Sequence, residues 1–310
     1  MTRSSQVRVS ADNRQAPLIV IAGPTGTGKS ELALRLAQHL GGEIVNYDSV
    51  QIYRGFDLGS AKPSREQRAL VPHHLFDIAD ADEEFNAADY GRVARDTCAG
   101  IETPILAGGT FFWLRALLSG LPEMPGRDED VRARIRRISH KRPATLHRWL
   151  AKVDPKSAAR IAVADRHRVE RALEVWITTG KPISAWERPE DELPSIKIAL
   201  QIERARLGPM LDARVGAMFR AGLIDETRAL LERFPPTARP FGTIGYKEAA
   251  AVVRGEMDEA AAIAETRRRT RAYAKRQMTW LRSERNVQWI DAADREKAFA
   301  AALRIIEERR

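Results

Sequence analysis

Eight consecutive residues, GPTGTGKS, have the composition and spacing of a loop that wraps phosphates. In G-x-x-x-x-G-K-[ST] the glycines let successive backbone amides point into one concavity, and the lysine adds a full positive charge. The closing serine is placed to ligate Mg²⁺. The alternative is an ordinary glycine-rich turn. The residues predicted to bind phosphate are Gly23, Pro24, Thr25, Gly26, Thr27, Gly28, Lys29 and Ser30, called the phosphate loop below.

The segments on either side of the phosphate loop are the ones that this motif requires. The apolar segment PLIVIA precedes the loop, and the amphipathic segment KSELALRLAQHL follows it. Strand, loop and helix in that order are the context in which the motif binds phosphate. Five more short apolar segments are predicted strands: EIVNY (Glu43–Tyr47), HLFDI (His74–Ile78), PILAG (Pro104–Gly108), IKIALQI (Ile196–Ile202) and VQWI (Val287–Ile290). Because helical patterns separate them, they predict a parallel sheet that binds ligands at the carboxyl ends of its strands.

Asp48 directly follows the second predicted strand, so its carboxylate is expected to face the same crevice as the phosphate loop. From the residues alone it is a metal ligand, a general base or merely a residue that ends a strand. An ATPase or kinase usually has an apolar strand that ends in the aspartate holding Mg²⁺. Here the corresponding segment, PILAGGT, ends in Gly-Gly-Thr.

Composition narrows the class of protein. Among the 310 residues, 51 are Lys or Arg and 42 are Asp or Glu, and the net charge of +9 favours an anionic partner. Cys98 is the only cysteine, which excludes a disulfide framework and indicates a reducing, cytoplasmic compartment. The longest apolar stretch, LIVIA, is too short to span a bilayer, so we expect no membrane association.

The alternation of strands and helices predicts how the chain is divided. Residues 1–16 are polar, lack the apolar core of a secretory signal and are predicted to be a flexible tail. Residues 17–121 and 195–310 carry the strand–helix pattern and are predicted to form a split α/β core. Between them, residues 122–194 are helical in pattern and are predicted to be an inserted domain. Its segment RVERALEVWI repeats apolar residues at helical spacing.

Several further segments follow the phosphate loop in this order: DSVQIYRGFDLGSAKP, VPHHLFDI, AGGTFFWLRALLSGL, DRHRVERALEV, GYKEA and AKRQMTWLR. Together with the loop, this ordered set resembles the bacterial tRNA dimethylallyltransferase (tRNA isopentenyltransferase) family over most of the chain. The resemblance implies a P-loop NTPase-like α/β fold, in which helices flank a parallel sheet and a helical domain is inserted. It also implies Mg²⁺ as the cofactor.

Members of that family transfer the dimethylallyl group of dimethylallyl diphosphate to N6 of the adenosine at position 37, 3′ of the tRNA anticodon, and diphosphate leaves. The resemblance implies that the phosphate loop holds this leaving group, with Lys29 and Arg214 as its cations. Taken alone, Arg214 would be a solvated helix charge. Asp48 is the implied base for the amine, and Thr110 is implied to hydrogen-bond the acceptor. Thr110 also suits a helix N-cap, and both roles are compatible.

The expected RNA partner is the tRNA anticodon stem-loop, whose target adenine must be extruded into a pocket. Gln51 is expected to offer that adenine both a donor and an acceptor, although without the resemblance it is a surface glutamine. Arg168 and Arg171 are expected to share one phosphate-facing surface, the alternative being a solvated charged face. The residues implied to contact tRNA are Asp48, Ser49, Val50, Gln51, Thr110, Arg132, His167, Arg168, Val169, Glu170, Arg171, Tyr246, Lys247, Arg269 and Arg276.

Residues 266–285 form the most basic segment, with eight Lys or Arg and one acid. Arg269, Tyr273, Arg276 and Trp280 recur at helical spacing and predict a stripe that binds phosphates and stacked bases. In the alternative, the two aromatic side chains lie in the core and the arginines are solvated. Two residues depart from the family pattern. Trp113 replaces a tyrosine, and Gly242 replaces a polar residue, so one RNA contact is expected to be missing or supplied elsewhere.

Two other activities compete with tRNA prenyl transfer. The first is an adenylate isopentenyltransferase, which uses a free nucleotide and needs no basic RNA footprint. The second is a small-molecule kinase or ATPase, which usually has an aspartate after the apolar strand PILAGG. The basic segments of this chain argue against the first activity, and the lack of an aspartate after PILAGG argues against the second. The tRNA enzyme is therefore favoured, and we expect it to be a monomer.

Overall fold

The structure is a computed structural model, and it describes residues 16–141, 143–186 and 192–310. The predicted N-terminal tail, residues 1–16, lies outside the described residues except for its last one. The chain divides into two compact units. One runs up to Leu118 and continues from Leu193 to Arg310, and the other is Ser119–Glu192. Among the described residues, no helix is both long enough and apolar enough to cross a membrane.

Six strands form one sheet in the first unit: β1 (Leu18–Ala22), β2 (Glu43–Asn46), β3 (His73–His74), β4 (Pro104–Ala107), β5 (Ser195–Gln201) and β6 (Val287–Asp291). Their order across the sheet is β3-β2-β4-β1-β5-β6, and every pairing is parallel. The predicted parallel sheet is therefore confirmed. Strands β1 and β2 are consecutive in the chain, but β4 lies between them.

The register of these strands aligns the segments that carry the chemistry. Ile21 of β1 pairs with Ala107 of β4, which pairs in turn with Asn46 of β2. The three carboxyl ends therefore lie in one row at the same edge of the sheet, where α/β proteins bind their ligands. The phosphate loop, Asp48 and Thr110 all follow directly from this row.

The helices, in chain order, are α1 (Lys29–Leu40), α2 (Arg65–Leu70), α3 (Ala87–Ala99), α4 (Phe111–Ser119), α5 (Glu129–Lys141), α6 (Pro143–Val153), α7 (Pro155–Ala158), α8 (Arg166–Thr179), α9 (Arg204–Arg220), α10 (Leu223–Arg233), α11 (Tyr246–Val253), α12 (Glu259–Ser283) and α13 (Arg295–Glu307). Short 3₁₀ turns occur at Ile183–Ala185 and Arg239–Gly242.

Alternate residues of the strands face opposite sides of the sheet, and both sides are buried. Ile19 and Ile21 of β1 pack with Leu36 of α1 and Ile306 of α13 in one apolar cluster. Val20, between the two isoleucines, is also fully buried but lies outside that cluster. A parallel sheet with both faces covered has continuous apolar strands, which is why LIVIA does not alternate with polar residues.

The predicted strand His74–Ile78 is wrong in its extent, because only His73 and His74 pair with β2. Leu75 adopts φ +63° and Asp77 φ +54°, both in the left-handed region, so the extended conformation cannot continue. Asp77 is held there by ion pairs at 2.6 Å with Lys62 and with Arg68. These partners are distant in sequence, so the local apolar pattern gave no sign of them.

The second unit contains α5 to α8 around a core of its own. Ile135, Leu146, Leu150, Val169 and Leu173 are its buried centre. The apolar face expected on RVERALEVWI is present on α8, where Val169, Ala172 and Leu173 are buried in this core.

Candidate active site

The phosphate loop runs from the end of β1 into the first turn of α1, and its backbone needs glycine at several positions. Gly26 has φ +83°, and a Cβ built on it would lie 2.7 Å from Cδ2 of Leu211. Both the conformation and the space therefore demand glycine there. The hydroxyl of Thr27 donates a 2.8 Å hydrogen bond to the carbonyl oxygen of Pro24 and closes the loop on itself. This bond is one of the contacts that set the shape of the loop.

Lys29 carries the charge of the loop. Its Nζ donates a 2.9 Å hydrogen bond to the carbonyl oxygen of Pro24. Burial and then the positive charge of Arg214 lower the pKa of Lys29 to about 7, while the carboxylate of Asp48 opposes them. The ammonium therefore loses its proton near neutral pH unless an anion lies beside it.

A cavity of about 380 Å³ opens beside the loop. Its walls bring together residues from the ends of β1, β2 and β4 and from α9 and α12. The predicted site residues among them are Thr25, Gly26, Gly28, Lys29, Ser30, Asp48, Gln51 and Arg214. Burial lowers the pKa of the Arg214 guanidinium and Asp48 raises it, but arginine remains charged at any physiological pH.

Asp48 is held in place by its neighbours in sequence. Its amide donates a 2.8 Å hydrogen bond to Oδ1 of Asn46, and its own Oδ1 accepts a 2.9 Å bond from the Val50 amide. Burial raises the pKa of Asp48, against backbone hydrogen bonds and the charges of Lys29 and Arg214. A carboxylate with a raised pKa, fixed at the wall of a cavity, has the properties of a general base.

Thr110 joins the carboxyl ends of β2 and β4. Its Oγ1 accepts a 3.0 Å hydrogen bond from the amide of Ser49 and donates one of 3.1 Å to the Ser49 hydroxyl. Thr110 also directly precedes α4, and its carbonyl oxygen accepts from the Trp113 amide at 2.9 Å. The side chain thus holds the loop of Asp48 beside the end of β4.

Gln277 of α12 connects the phosphate loop to the end of β4, and sequence reasoning missed it. Its Oε1 accepts a 2.8 Å hydrogen bond from the Thr25 amide, and its Nε2 donates one of 2.9 Å to the Gly109 carbonyl oxygen. A Cβ built on Gly109 would lie 2.9 Å from Oδ2 of Asp48. Tyr273, four residues earlier on α12, donates to the same carbonyl oxygen at 2.7 Å, so the two side chains lie on one face of the helix.

Comparison with known proteins identifies the family. The family model described as IPP transferase matches residues 51–284, and one described as isopentenyl transferase matches residues 16–71. A tRNA dimethylallyltransferase of Solibacter usitatus (strain Ellin6076) is 48% identical over 283 residues, which cover 88% of this chain and 92% of that protein. One of Anaeromyxobacter sp. (strain K) is 46% identical and covers 94% and 98%. This chain belongs to the tRNA dimethylallyltransferase family.

Solved structures agree with this membership. The full-length tRNA isopentenylpyrophosphate transferase of Bacillus halodurans aligns with a TM-score of 0.70 at 35% identity, over 95% of this chain and 98% of that one. A eukaryotic dimethylallyltransferase acting on tRNA aligns with a TM-score of 0.74 at 26% identity, over 95% and 80%. The resemblance and the P-loop NTPase-like fold class predicted from the sequence are therefore confirmed.

The structure gives Gln51 fewer free groups than expected. Its Nε2 donates to the carbonyl oxygens of Ser60 at 3.0 Å and Ala61 at 3.2 Å. The donor that Gln51 was expected to offer to adenine is therefore engaged within the chain, and its contact with the base stays a prediction. Oε1 accepts no hydrogen bond within the described part of the chain, so it is the atom left for a ligand.

Two arginines expected to contact tRNA bind a buried carboxylate of the second unit. Glu174 is fully buried and accepts from Nη2 of Arg132 at 2.9 Å, from Nη1 of Arg171 at 3.0 Å and from the Asp128 amide at 2.8 Å. Arg171 also donates to the Pro125 carbonyl oxygen at 2.7 Å. Both arginines help to hold the second unit together. The Arg171 side chain is still 26% exposed, so the surface that it was expected to share with Arg168 stays a prediction.

The start of α8 leaves other members of the segment exposed. The Arg168 side chain is 74% exposed, and His167 beside it is exposed as well. Glu170 is half-buried. Val169 is 2% exposed and belongs to the core, so its expected contact with tRNA is wrong. Helical periodicity explains this, since Val169 lies on the apolar face of α8.

Tyr246 is also a core residue rather than an RNA contact. It is fully buried, its hydroxyl donates a 2.6 Å hydrogen bond to Oε1 of Glu226, and it accepts one of 3.1 Å from the Gly59 amide. An enclosed phenol cannot reach a nucleic acid, so this expectation is wrong. Lys247, the next residue, points outward and is exposed.

The aromatic and basic stripe of α12 is mostly a packing surface. Trp280 stacks on Phe111 with ring centroids 4.6 Å apart, and Arg269 forms an ion pair with the buried carboxylate of Glu248. Arg276 is exposed, and its guanidinium lies 5.7 Å from the ring centroid of Tyr273. The two aromatic side chains are half-buried and Tyr273 lines the cavity, while Arg276 is the exposed member of the stripe, so RNA binding by the stripe stays a prediction.

The two departures from the family pattern lie in different environments. Trp113 is 2% exposed and stacks on Tyr90 with ring centroids 4.6 Å apart, so the replacement is accommodated in the core. Gly242 is exposed, and a Cβ built on it would meet no atom within 4 Å. A polar side chain would fit at Gly242, so its loss is not enforced by packing.

Proposed function

We propose that this protein transfers the dimethylallyl group of dimethylallyl diphosphate to N6 of the adenosine at position 37 of tRNAs, 3′ of the anticodon. One observation carries the proposal. The phosphate loop and the carboxylate of Asp48 face a single cavity, whereas β4 ends in Gly108-Gly109 without the acid of a kinase. The cavity thus pairs an anion site with a base, as alkylation by a diphosphate ester requires.

Diphosphate is the leaving group. As the bond between the allylic C1 and the diphosphate oxygen breaks, its electron pair passes to that oxygen and negative charge accumulates there. Amides of the phosphate loop, Lys29 and Arg214 surround the place where that charge develops. Fixed donors of this kind lower the barrier because they need no reorganisation during the reaction. Leu34, Ile44 and Phe76 give the cavity apolar walls that suit a dimethylallyl group.

Asp48 is the base for the adenine amine. The N6 lone pair is delocalised into the ring, so the amine is a weak nucleophile until a proton is removed. In the proposed step, N6 forms a bond to C1 and its proton passes to the Asp48 carboxylate. Thr110 and Ser49 hold the loop of Asp48 and thereby position the base for the amine. The free Oε1 of Gln51 accepts a hydrogen bond from the extruded base.

Mg²⁺ is the cofactor that we propose. Within the described residues, no group of three or more His, Cys, Asp or Glu forms a ready-made metal site. Mg²⁺ often keeps several waters and binds through substrate phosphates and one or two protein oxygens. The Ser30 hydroxyl, at the start of α1 and in the cavity wall, fits that minimal role. When bound, the ion would neutralise charge on the diphosphate.

The RNA partner that we propose is the anticodon stem-loop, whose adenine is turned out into the cavity. The exposed cations Arg168, Lys247 and Arg276 are the proposed phosphate contacts among the residues singled out from the sequence. A cytoplasmic location and a monomeric state complete the proposal.

The test offers dimethylallyl diphosphate with a radiolabelled dimethylallyl group to the purified protein and Mg²⁺. Four acceptors are compared: unmodified tRNA with adenosine at position 37, the same tRNA with guanosine there, AMP and none. We expect label only in the first RNA. An Asp48→Asn variant, which keeps the shape of the side chain, is the matched control and should bind tRNA but transfer slowly. Label on AMP would instead support the free-nucleotide transferase, and label in neither RNA would contradict the proposal.

A further inference from the structure

Arg295 is the first residue of α13 and reaches the phosphate loop from the far end of the chain. Its Nη1 donates a 2.5 Å hydrogen bond to the carbonyl oxygen of Thr27. Its Nε lies 3.5 Å from Oε2 of Glu31, in the first turn of α1. The guanidinium therefore connects the last turn of the loop to the helix that follows it, and it lines the same cavity as Lys29.

The conformation of Gly28 leaves the space that this guanidinium occupies. Gly28 has φ +85°, and a Cβ built on it would lie 2.0 Å from Nη1 and 2.7 Å from Nη2 of Arg295. Any side chain at position 28 would expel Arg295 in addition to straining the backbone. Glycine is thus required at position 28 for two reasons: the backbone conformation and the close approach of a cation from α13.

The contact acts on a peptide unit in the wall of the cavity. The Thr27 carbonyl and the Gly28 N–H belong to one peptide unit. A charged donor on the oxygen polarises that unit and makes its N–H a stronger donor. We propose that Arg295 is a positioning residue for diphosphate, which fixes the Thr27–Gly28 peptide and strengthens its N–H toward the anion. This inference rests on the proposed function, because it takes diphosphate as the ligand.

Arg35 offers a matched control. It forms a bidentate ion pair with Glu296, both hydrogen bonds being 2.8 Å, and its guanidinium lies 4.4 Å from the ring centroid of Phe299. These contacts also join α1 to α13, but they do not reach the phosphate loop or the cavity. Replacing Arg35 should therefore weaken the packing of α13 against α1 without removing a contact to the phosphate loop. Arg295 itself lies beyond both family-model matches, which end at residues 284 and 71.

The experiment compares the full-length wild type with Arg295→Ala, Arg295→Lys and Arg35→Ala. Calorimetry measures the Kd of inorganic diphosphate at one fixed pH with Mg²⁺, filter binding measures the Kd of tRNA, and thermal unfolding measures Tm. We expect Arg295→Ala to weaken diphosphate binding about tenfold, the scale of one charge-assisted hydrogen bond, and Arg35→Ala to change it less than about twofold. Lysine, which can still donate to the Thr27 carbonyl, should restore part of the loss, and tRNA binding should not change.

Two results would overturn the inference. One is an unchanged diphosphate Kd in Arg295→Ala. The other is an equal loss of affinity and of Tm in Arg295→Ala and Arg35→Ala, which would mean that only the docking of α13 matters. The readout uses diphosphate alone, so it stands even if dimethylallyl transfer to tRNA is not found. Absence of diphosphate binding by the wild type would instead contradict the proposed function.

Discussion

The lowered pKa of Lys29 predicts that the protein takes up a proton when it binds dimethylallyl diphosphate. In the empty site, burial and Arg214 place this pKa at about 7. The diphosphate puts negative charge beside the ammonium and raises the pKa again. At a pH between the Lys29 pKa of the free protein and that of the complex, Lys29 is neutral before binding and charged after it. Binding must then be accompanied by protonation of Lys29.

The magnitude follows from linkage. If only the charged form of Lys29 binds well, affinity falls by about tenfold for each pH unit above the empty-site pKa, which corresponds to about 1.4 kcal/mol. From about pH 7 to about pH 9 the expected loss is about 50-fold, because half of the lysine is already neutral at the lower pH. Below about pH 7 the affinity should level off for this group, since it is then charged in both states.

Calorimetric titration of dimethylallyl diphosphate without tRNA, in buffers of different ionisation enthalpy, measures the protons taken up directly. About one proton per site is expected near pH 8, because the free lysine is then mostly neutral. Lys29→Arg is the matched control, because arginine remains charged throughout and should abolish both the proton uptake and the decline above pH 7. If the wild type bound without proton uptake and lost no affinity up to pH 9, the deduced state of Lys29 would be wrong.

Three further predictions concern other parts of the molecule. Asp48→Asn should lower the single-turnover rate by about 10²–10⁴, the usual effect of losing a general base, while filter binding shows little change in the Kd of tRNA. Glu174→Ala should destabilise the second unit by about 3–5 kcal/mol in urea unfolding, since it leaves two arginines without their buried partner. Arg168→Ala should leave unfolding unchanged but flatten the salt dependence of tRNA binding by about one unit. An unchanged salt slope would make Arg168 a solvated charge only.

The sequence predicted those parts of the site that depend on local order. The phosphate loop, the position of Asp48 after β2 and that of Thr110 after β4 follow from strand ends, and parallel pairing brings strand ends together. Gln277 and Arg295 were not predicted, since their contacts with the loop join residues more than 250 positions apart. Such contacts depend on how α12 and α13 pack on the sheet, which no local pattern records.

Errors among the expected RNA contacts have a different physical origin. The family resemblance assigned a role to every residue of a matching segment, but a helical segment has a buried face as well as an exposed one. Val169 was included among the expected tRNA contacts with its neighbours, although its spacing already placed it on the apolar face of α8. The sequence contains no comparable sign for Arg171 and Arg132, because their contacts depend on Glu174, an acid that itself lies in an otherwise amphipathic helix. An arginine in a basic segment can therefore be bound to a buried carboxylate, and only the folded structure shows how much of its side chain remains exposed.

The shared cavity couples the anion site to the base, which yields a final prediction. Burial raises the pKa of Asp48, while Lys29 and Arg214 lower it. When diphosphate binds, it neutralises both cations and adds negative charge, so the pKa of Asp48 should rise further and the carboxylate should become a stronger base. The substrate would thus activate the group that deprotonates its acceptor.

The pH dependence of the reaction tests this coupling. A base must be deprotonated, so the rate should rise with pH through the Asp48 pKa, and kcat/KM for dimethylallyl diphosphate at saturating tRNA reports that pKa before diphosphate binds. The single-turnover rate at saturating concentrations of both substrates reports it in the full complex. We expect the acid limb of the single-turnover profile to lie at higher pH than that of kcat/KM. Lys29→Arg should keep the order of the two limbs, because arginine is neutralised by the same anion. Coincident limbs would mean that diphosphate does not reach the electrostatic environment of Asp48, and the base would then have to be sought elsewhere in the cavity.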